Sequence, residues 1–183
     1  SRTIEAIGDA RLQVILYHIP QVSGVAISHD LIDRLRHAFP QTIVGIKDSA
    51  GKLDNMQAMI ARFADFSVLA GADPLLLPLM KLGGAGCITA TSNLVGRDLA
   101  LVYRGANDPA QADAVAAAQA RIEAFRNLSN SYVQLPAIKG MIRYLTGDAG
   151  WSRMRPPLVD LTPAERADLR ARLIAIGATV QGE

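Results

Sequence analysis

Apolar residues follow two alternating patterns along the first three-fifths of the chain. Short runs rich in β-branched and aliphatic residues, typical of strands, are separated by stretches in which apolar residues recur every three or four positions, as on one face of a helix. Repetition of strand, helix and strand predicts a parallel sheet with helices packed against it. The predicted strands are Val14–Tyr17, Ile43–Lys47, Ser67–Ala70 and Cys87–Thr89.

The pattern becomes wholly helical from about Leu94. Asp108-Pro109 and Thr162-Pro163 each place a capping side chain before a proline suited to the first helical position. We therefore divide the chain into a βα region, residues 1–105, and a helical extension, residues 106–183. Four parallel strands are compatible with an open doubly wound sheet or with part of an eight-stranded barrel.

The composition is that of a folded globular protein. Half of the residues are apolar and 20% are charged, which argues against disorder. The net charge is only +2, from 19 basic and 17 acidic residues, so we expect no nucleic-acid partner. Apolar stretches such as Leu75–Met80 are far shorter than the ~20 residues of a membrane span. A single cysteine, Cys87, excludes an internal disulfide and suggests a reducing, cytoplasmic location.

The strands carry candidate chemistry at their carboxyl ends. Because side chains alternate along a strand, Ile43, Gly45 and Lys47 are expected to share one face, as are Ile15 and Tyr17. Neighbouring parallel strands lie ~4.8 Å apart. If these two strands are neighbours, Tyr17 and Lys47 approach each other at the end where α/β folds place active sites.

A lysine on the inner face of a barrel has two interpretations. Desolvation disfavours the charged ammonium and leaves an amine able to attack a carbonyl, with a nearby phenol available to relay protons. Alternatively, Lys47 reaches out of the strand end and pairs with a carboxylate such as Asp48 or Asp73. Sequence spacing alone leaves both open.

Several separated motifs together resemble the dihydrodipicolinate synthase and N-acetylneuraminate lyase family. Their order and spacing agree with that family over nearly the whole chain. The motifs are Tyr17-His18-Ile19-Pro20, Gly45-Ile46-Lys47-Asp48-Ser49 with Gly51, Gly71-Ala72-Asp73, Gly83 to Thr89, Asn93 and Arg155-Pro156-Pro157-Leu158.

The resemblance implies a TIM (β/α)8 barrel followed by a helical C-terminal extension, and class I (Schiff-base) chemistry on pyruvate or related 2-oxo acids. Lys47 would be the Schiff-base lysine and Tyr17 the tyrosine that shuttles protons. Ile88 would lie against bound pyruvate with its backbone available to the ligand, and Gly71 would leave room for close approach. The family's chemistry implies no cofactor and no metal, because the iminium is itself the electron sink.

The sequence departs from the family pattern in two ways, and the first narrows the expected reaction. Synthases of the family usually carry an arginine two residues after the proline, where it grips the second substrate's carboxylate, but Val22 stands there. This favours a lyase that cleaves a 2-oxo acid, with synthase-type condensation or dehydration of a 2-keto-3-deoxy acid as alternatives. A more distant alternative is a non-catalytic binder on the same scaffold. His18, where asparagine is common, is a further candidate for substrate contact.

The second departure concerns how much of the barrel this chain contains. The paired hydroxyl residues that hold the pyruvate carboxylate in the family belong to the first half of the barrel, and no matching segment occurs here. A TIM barrel takes ~250 residues, so we expect this chain to be the second half of the barrel, with about four strands, plus the extension. We expect the missing N-terminal half as a partner, since the segment alone would expose an apolar face and associate. The family also suggests a homo-oligomer.

Overall fold

The structure, a computed structural model, describes residues 2–178. The chain divides into two compact units, with the division between Ile88 and Thr89. The first unit contains all the strands among the described residues, and the second contains helices only. The boundary predicted between residues 105 and 106 separates barrel from extension, and it stays a prediction.

The first unit is built on four parallel strands in the order β1-β2-β3-β4. The α/β class and the parallel pairing predicted from the sequence are confirmed. The fourth strand is shorter and starts one residue earlier than predicted. The ladder nevertheless continues past it, because the Ile88 N–H donates to the Ala70 carbonyl at 2.9 Å. The strands are β1 (Val14–His18), β2 (Ile43–Asp48), β3 (Ser67–Ala70) and β4 (Gly86–Cys87).

Helices connect the strands, and their apolar faces cover one side of the sheet. The side chain of Ser28 caps α3 by accepting a hydrogen bond from the Leu31 N–H. On α4, Met56 and Met59 are fully buried in the core of this unit. The helices are α1 (Arg2–Ile7), α2 (Pro20–Ser23), α3 (His29–Ala38), α4 (Leu53–Arg62) and α5 (Leu76–Lys81).

One position of β2 departs from simple alternation. Val14 pairs with Ile43 and Ile15 pairs with Gly45, so two residues of β2 stand against one of β1 at that point. Such a bulge reverses the face of the residues before it. Ile43 was expected beside Lys47, and this prediction is wrong: Ile43 is buried in the same core as Ile46.

Over residues 89–178, the second unit contains four α-helices joined by loops and 3-10 segments. A capping box begins α9, with the Thr162 side chain accepting from the Glu165 N–H and the Glu165 carboxylate accepting from the Thr162 N–H. The core of this unit includes Leu128, Met141 and Leu169. No helix among residues 2–178 is long and apolar enough to cross a membrane. The helices are α6 (Ser92–Gly105), α7 (Ala112–Asn130), α8 (Gln134–Thr146) and α9 (Pro163–Ala175).

Candidate active site

The uncovered face of the sheet carries the candidate site at the carboxyl ends of the strands. Tyr17 and Lys47 are direct partners in the register of β1 and β2. Counting two residues at a time from this pair places Gly71, after β3, and Ile88, after β4, on the same face. All four residues singled out from the sequence therefore lie on one face, one at the end of each strand.

Tyr17 and Lys47 are in contact. The Lys47 Nζ lies 4.1 Å from the centroid of the Tyr17 ring, within the range of a cation–π interaction. The approach predicted from alternation and strand spacing is therefore observed. Tyr17 is 51% exposed and Lys47 is half-buried, so both side chains are open to a ligand on this face.

The Tyr17 phenol has a pKa below its ordinary value. Partial burial raises the pKa of Tyr17, but the neighbouring Ser49 hydroxyl, the Lys47 amine and the charge of Lys47 together outweigh it. Each of these interactions favours the phenolate over the phenol. A phenol of this kind gives up its proton more readily than a free tyrosine, which suits a group that transfers protons.

Asp48, one of the two carboxylates offered by the sequence as an ion-pair partner for Lys47, is bound to other groups. Asp48 is fully buried, and its Oδ1 accepts from the Ala50 N–H at 2.8 Å. Its Oδ2 accepts from the Asn55 side-chain amide at 2.7 Å. The Lys47 amine lies beside the Tyr17 ring, and the two oxygens of Asp48 are bound to other groups.

Gly71 is surrounded more closely than the sequence suggested. A Cβ at this position would lie 2.0 Å from Ser49 Oγ and 2.8 Å from Ser49 Cα. The space beside Gly71 is therefore filled by Ser49, and only glycine fits. Its assignment as a substrate-binding residue stays a prediction.

Ile88 presents its side chain to the open face. The residue is 45% exposed, and its assignment as a substrate-binding residue stays a prediction. Its N–H, however, is already used by Ala70. Any backbone contact with a ligand would therefore come from its carbonyl.

The opposite face of the strand ends anchors the loops. His18 is buried, and its Nδ1 accepts from the Ile27 N–H at 3.1 Å, so the structure does not bring this histidine to the site. Asn55, which holds Asp48, also has its Oδ1 3.0 Å from the His29 Nε2. Asp48, Asn55 and His29 thus tie the end of β2 to α4 and α3.

Cys87 is unsuited to nucleophilic attack. Burial, with a smaller contribution from the charge of Asp73, raises the pKa of the Cys87 thiol to about 11. The thiolate is therefore scarce near neutral pH. Among the described residues, no group of three or more His, Cys, Asp or Glu side chains is arranged to hold a metal ion.

Two residues of this region were missed by sequence reasoning. Ser49 stands two positions after Lys47, so the alternation that paired Tyr17 with Lys47 could have placed it on the same face. Asn55 lies on a helix and meets Asp48 only in the folded chain. No local pattern signals that contact.

The α/β fold, with its four parallel strands, matches part of the TIM-barrel structures of dihydrodipicolinate synthases. The family model described as the dihydrodipicolinate synthetase family matches residues 2–176, and the chain belongs to this family.

Relatives and solved structures agree with this assignment. An uncharacterized DapA-like lyase of Chloroflexus aurantiacus is 37% identical over 163 residues, which cover 89% of this chain and 52% of that protein. The 4-hydroxy-tetrahydrodipicolinate synthase of Listeria monocytogenes is 36% identical over 165 residues, covering 88% of this chain and 54% of the synthase. The structure of dihydrodipicolinate synthase from Agrobacterium tumefaciens superposes with a TM-score of 0.82 at 26% identity, covering 96% of this chain and 57% of that one. The chain spans about half the length of the curated relatives it matches.

Proposed function

We propose that the protein containing this chain is a class I lyase that cleaves a 2-oxo acid into pyruvate and an aldehyde through a Schiff base on Lys47. The observation that carries the proposal is the placement of the Lys47 amine over the Tyr17 ring, at the carboxyl end of two neighbouring parallel strands. An amine and a phenol in contact supply the nucleophile and the proton carrier that imine chemistry requires.

Imine formation begins with attack by the neutral Lys47 amine on the C2 carbonyl carbon. A C–N bond forms as the C=O π bond breaks, and one proton passes from the nitrogen to the oxygen by way of the Tyr17 hydroxyl, giving a neutral carbinolamine and leaving Tyr17 as the phenol. The Tyr17 phenol then protonates the departing hydroxyl, the C–O bond breaks, and water leaves. The products of this step are a protonated imine on Lys47 and a Tyr17 phenolate.

Cleavage uses the protonated imine as the electron sink. The Tyr17 phenolate removes the proton from the C4 hydroxyl, the electron pair of the C3–C4 bond moves toward the iminium nitrogen, and the aldehyde departs. The remaining enamine is protonated at C3. Hydrolysis of the imine then releases pyruvate and restores the Lys47 amine.

Val22 supports cleavage over condensation with a carboxylated aldehyde. It lies in α2, directly after β1, and is 76% exposed. An isopropyl group cannot form the charge-assisted hydrogen bonds by which an arginine binds a carboxylate. The site as described has no cation at this position for the second substrate.

Synthase-type condensation is the second candidate. The curated Listeria relative, 36% identical to this chain, is named as a synthase. Condensation and cleavage share the same imine and enamine, so Lys47 and Tyr17 would have the same roles in either direction. Dehydration of a 2-keto-3-deoxy acid would also start from the same imine.

The remainder of the barrel and the assembly also belong to the proposal. Ile15, Tyr17 and Ile88 are exposed on the open face of the sheet, where a complete barrel would enclose them. We expect the full-length protein to supply the missing strands, and we expect it to be a homo-oligomer. The 183-residue polypeptide alone is expected to be inactive and to associate.

A substrate screen of the full-length protein tests this proposal. 2-Keto-3-deoxy sugar acids, 4-hydroxy-2-oxoglutarate and N-acetylneuraminate would be supplied singly, and pyruvate release measured with lactate dehydrogenase. Aspartate semialdehyde with pyruvate tests condensation. We expect pyruvate from at least one 2-oxo acid, and its loss in Lys47→Arg, which keeps the positive charge but cannot form the imine. Full activity in Lys47→Arg would overturn the proposal.

A further inference from the structure

Ser49 occupies a fixed position on the same face as Lys47. It follows Lys47 by two residues, so the two side chains point to the same side of the sheet. Its N–H donates to the His18 carbonyl at 2.8 Å, and its carbonyl accepts from the Gln21 side-chain amide at 2.8 Å. Hydrogen bonds therefore fix both the N–H and the carbonyl of Ser49, and with them the position of its Cβ.

The Ser49 hydroxyl is confined on the side of Gly71. The distance from Ser49 Oγ to the position of a Cβ on Gly71 is 2.0 Å, so the oxygen fills the space that any other residue's side chain would take. This oxygen is buried, and it meets the geometry of a hydrogen bond with none of the groups of residues 2–178. A buried hydroxyl without a well-formed hydrogen bond is costly and calls for a functional explanation.

The neighbour on which this hydroxyl acts is Tyr17. Ser49 is the foremost of the groups that lower the pKa of the Tyr17 phenol against the opposing effect of burial. The backbone geometry agrees: Ser49 follows Lys47, the register partner of Tyr17, by two residues, and its N–H bonds to the carbonyl of His18, next to Tyr17. The Ser49 hydroxyl is therefore on the same face as the phenol and next to it along the sheet.

We propose that Ser49 is a positioning residue for the Tyr17 phenol, with its backbone and Cβ packed against Gly71. The Ser49 hydroxyl donates a hydrogen bond to the phenolate while Tyr17 is deprotonated, and it accepts one from the phenol once the proton returns. Ser49 keeps its own proton throughout. The transferred proton moves only between the reacting molecule and the Tyr17 oxygen. This role rests on the proposed lyase chemistry, because that chemistry requires Tyr17 to alternate between phenol and phenolate.

Direct titration of the phenol tests the inference independently of turnover. The Tyr17 signal is obtained in the full-length protein as the ultraviolet difference between each variant and the same variant carrying Tyr17→Phe. The variants are Ser49→Ala, Ser49→Thr and the control Ser67→Ala. Ser67 is an exposed serine at the amino end of β3, paired with Gly45, and stands at the opposite end of the same sheet.

Ser49→Ala is expected to raise the pKa of the Tyr17 phenol above that of the parent protein and to lower kcat about tenfold, as for the loss of one hydrogen bond to a charged group. Ser49→Thr keeps the hydroxyl and is expected to hold both values closer to the parent, and Ser67→Ala should leave both unchanged. An unaltered phenol pKa in Ser49→Ala, or an equal rise in Ser49→Thr, would overturn the inference. Failure of the parent protein to form an imine with pyruvate would instead refute the proposed function, and the titration would still report where Ser49 acts.

Discussion

The Lys47 amine stands over the face of the Tyr17 ring, with 4.1 Å between Nζ and the ring centroid. The contact follows from the register of β1 and β2, in which the two residues are direct partners. Parallel pairing thus brings together two residues that are 30 positions apart in the sequence. The contact with the ring keeps the Lys47 nitrogen on the open side of the sheet, next to the phenol. The pair is therefore ready to meet a carbonyl compound.

Removal of the Tyr17 hydroxyl should slow imine formation while leaving the amine in place. Tyr17→Phe keeps the ring on which Lys47 rests but deletes the proton carrier, for which the typical cost is about 10²- to 10⁴-fold in rate. The measurement is the rate at which the Lys47 adduct with pyruvate accumulates, sampled by borohydride quenching of the full-length protein. Tyr103→Phe, at an exposed position on α6, is the matched control. Equal rates in Tyr17→Phe and the parent would refute the role of the phenol.

Gly71→Ala should destabilise the protein. The added methyl group would meet the Ser49 backbone as well as its hydroxyl, with 2.8 Å to Cα, so the clash cannot be relieved by side-chain rotation alone. Overpacking of this kind costs about 1–3 kcal/mol. Urea unfolding of the full-length protein measures the change.

The matched control for this substitution is Gly96→Ala. An added Cβ at Gly96, on α6, meets nothing within 4 Å, and alanine is favoured over glycine in helices. We expect Gly96→Ala to be neutral or stabilising. Equal stability of the Gly71 and Gly96 variants would contradict the packing described around Ser49.

The hydrogen bonds of Asp48, Asn55 and His29 form a bridge that joins β2 to α4 and α3. This bridge should contribute measurably to the free energy of unfolding. Asn55→Ala removes the 2.7 Å hydrogen bond to Oδ2 of the buried Asp48 carboxylate, while the bond from the Ala50 N–H to Oδ1 remains. An unsatisfied buried group of this kind costs about 1–3 kcal/mol. Thermal unfolding would detect it. Gln57→Ala, at an exposed position of the same helix, should have little effect, and an equal loss in both variants would refute the bridge.

The reactivity of Cys87 should depend on pH in a specific way. Because burial raises the pKa of its thiol to about 11, the thiolate fraction in the folded protein stays small at pH 8 and grows as the pH approaches that value. Alkylation by iodoacetamide, followed by peptide mass spectrometry at Cys87, should therefore be slow at pH 8 and faster in denaturant. Rapid alkylation of the folded protein at pH 8 would contradict this assignment.

Period-two alternation was sufficient to predict the Tyr17–Lys47 pair, since both residues lie near the ends of regular strands. The same rule failed at Ile43, because the bulge opposite Val14 and Ile15 changes the face and no local residue pattern announces it. The contacts of Ser49 with Gly71 and of Asp48 with Asn55 join separate elements, so they depend on tertiary packing. Sequence patterns thus predicted which residues end the strands. The contacts that support those residues could be identified only in the folded structure.

The central claim is that the Lys47 amine bonds covalently to a 2-oxo acid. The most direct measurement is reduction of the full-length protein with borohydride in the presence of pyruvate, followed by mass spectrometry of its peptides. We expect a stable pyruvate-derived adduct on Lys47, absent when pyruvate or borohydride is omitted. An adduct on another lysine, or binding of pyruvate without any trapped adduct, would contradict it.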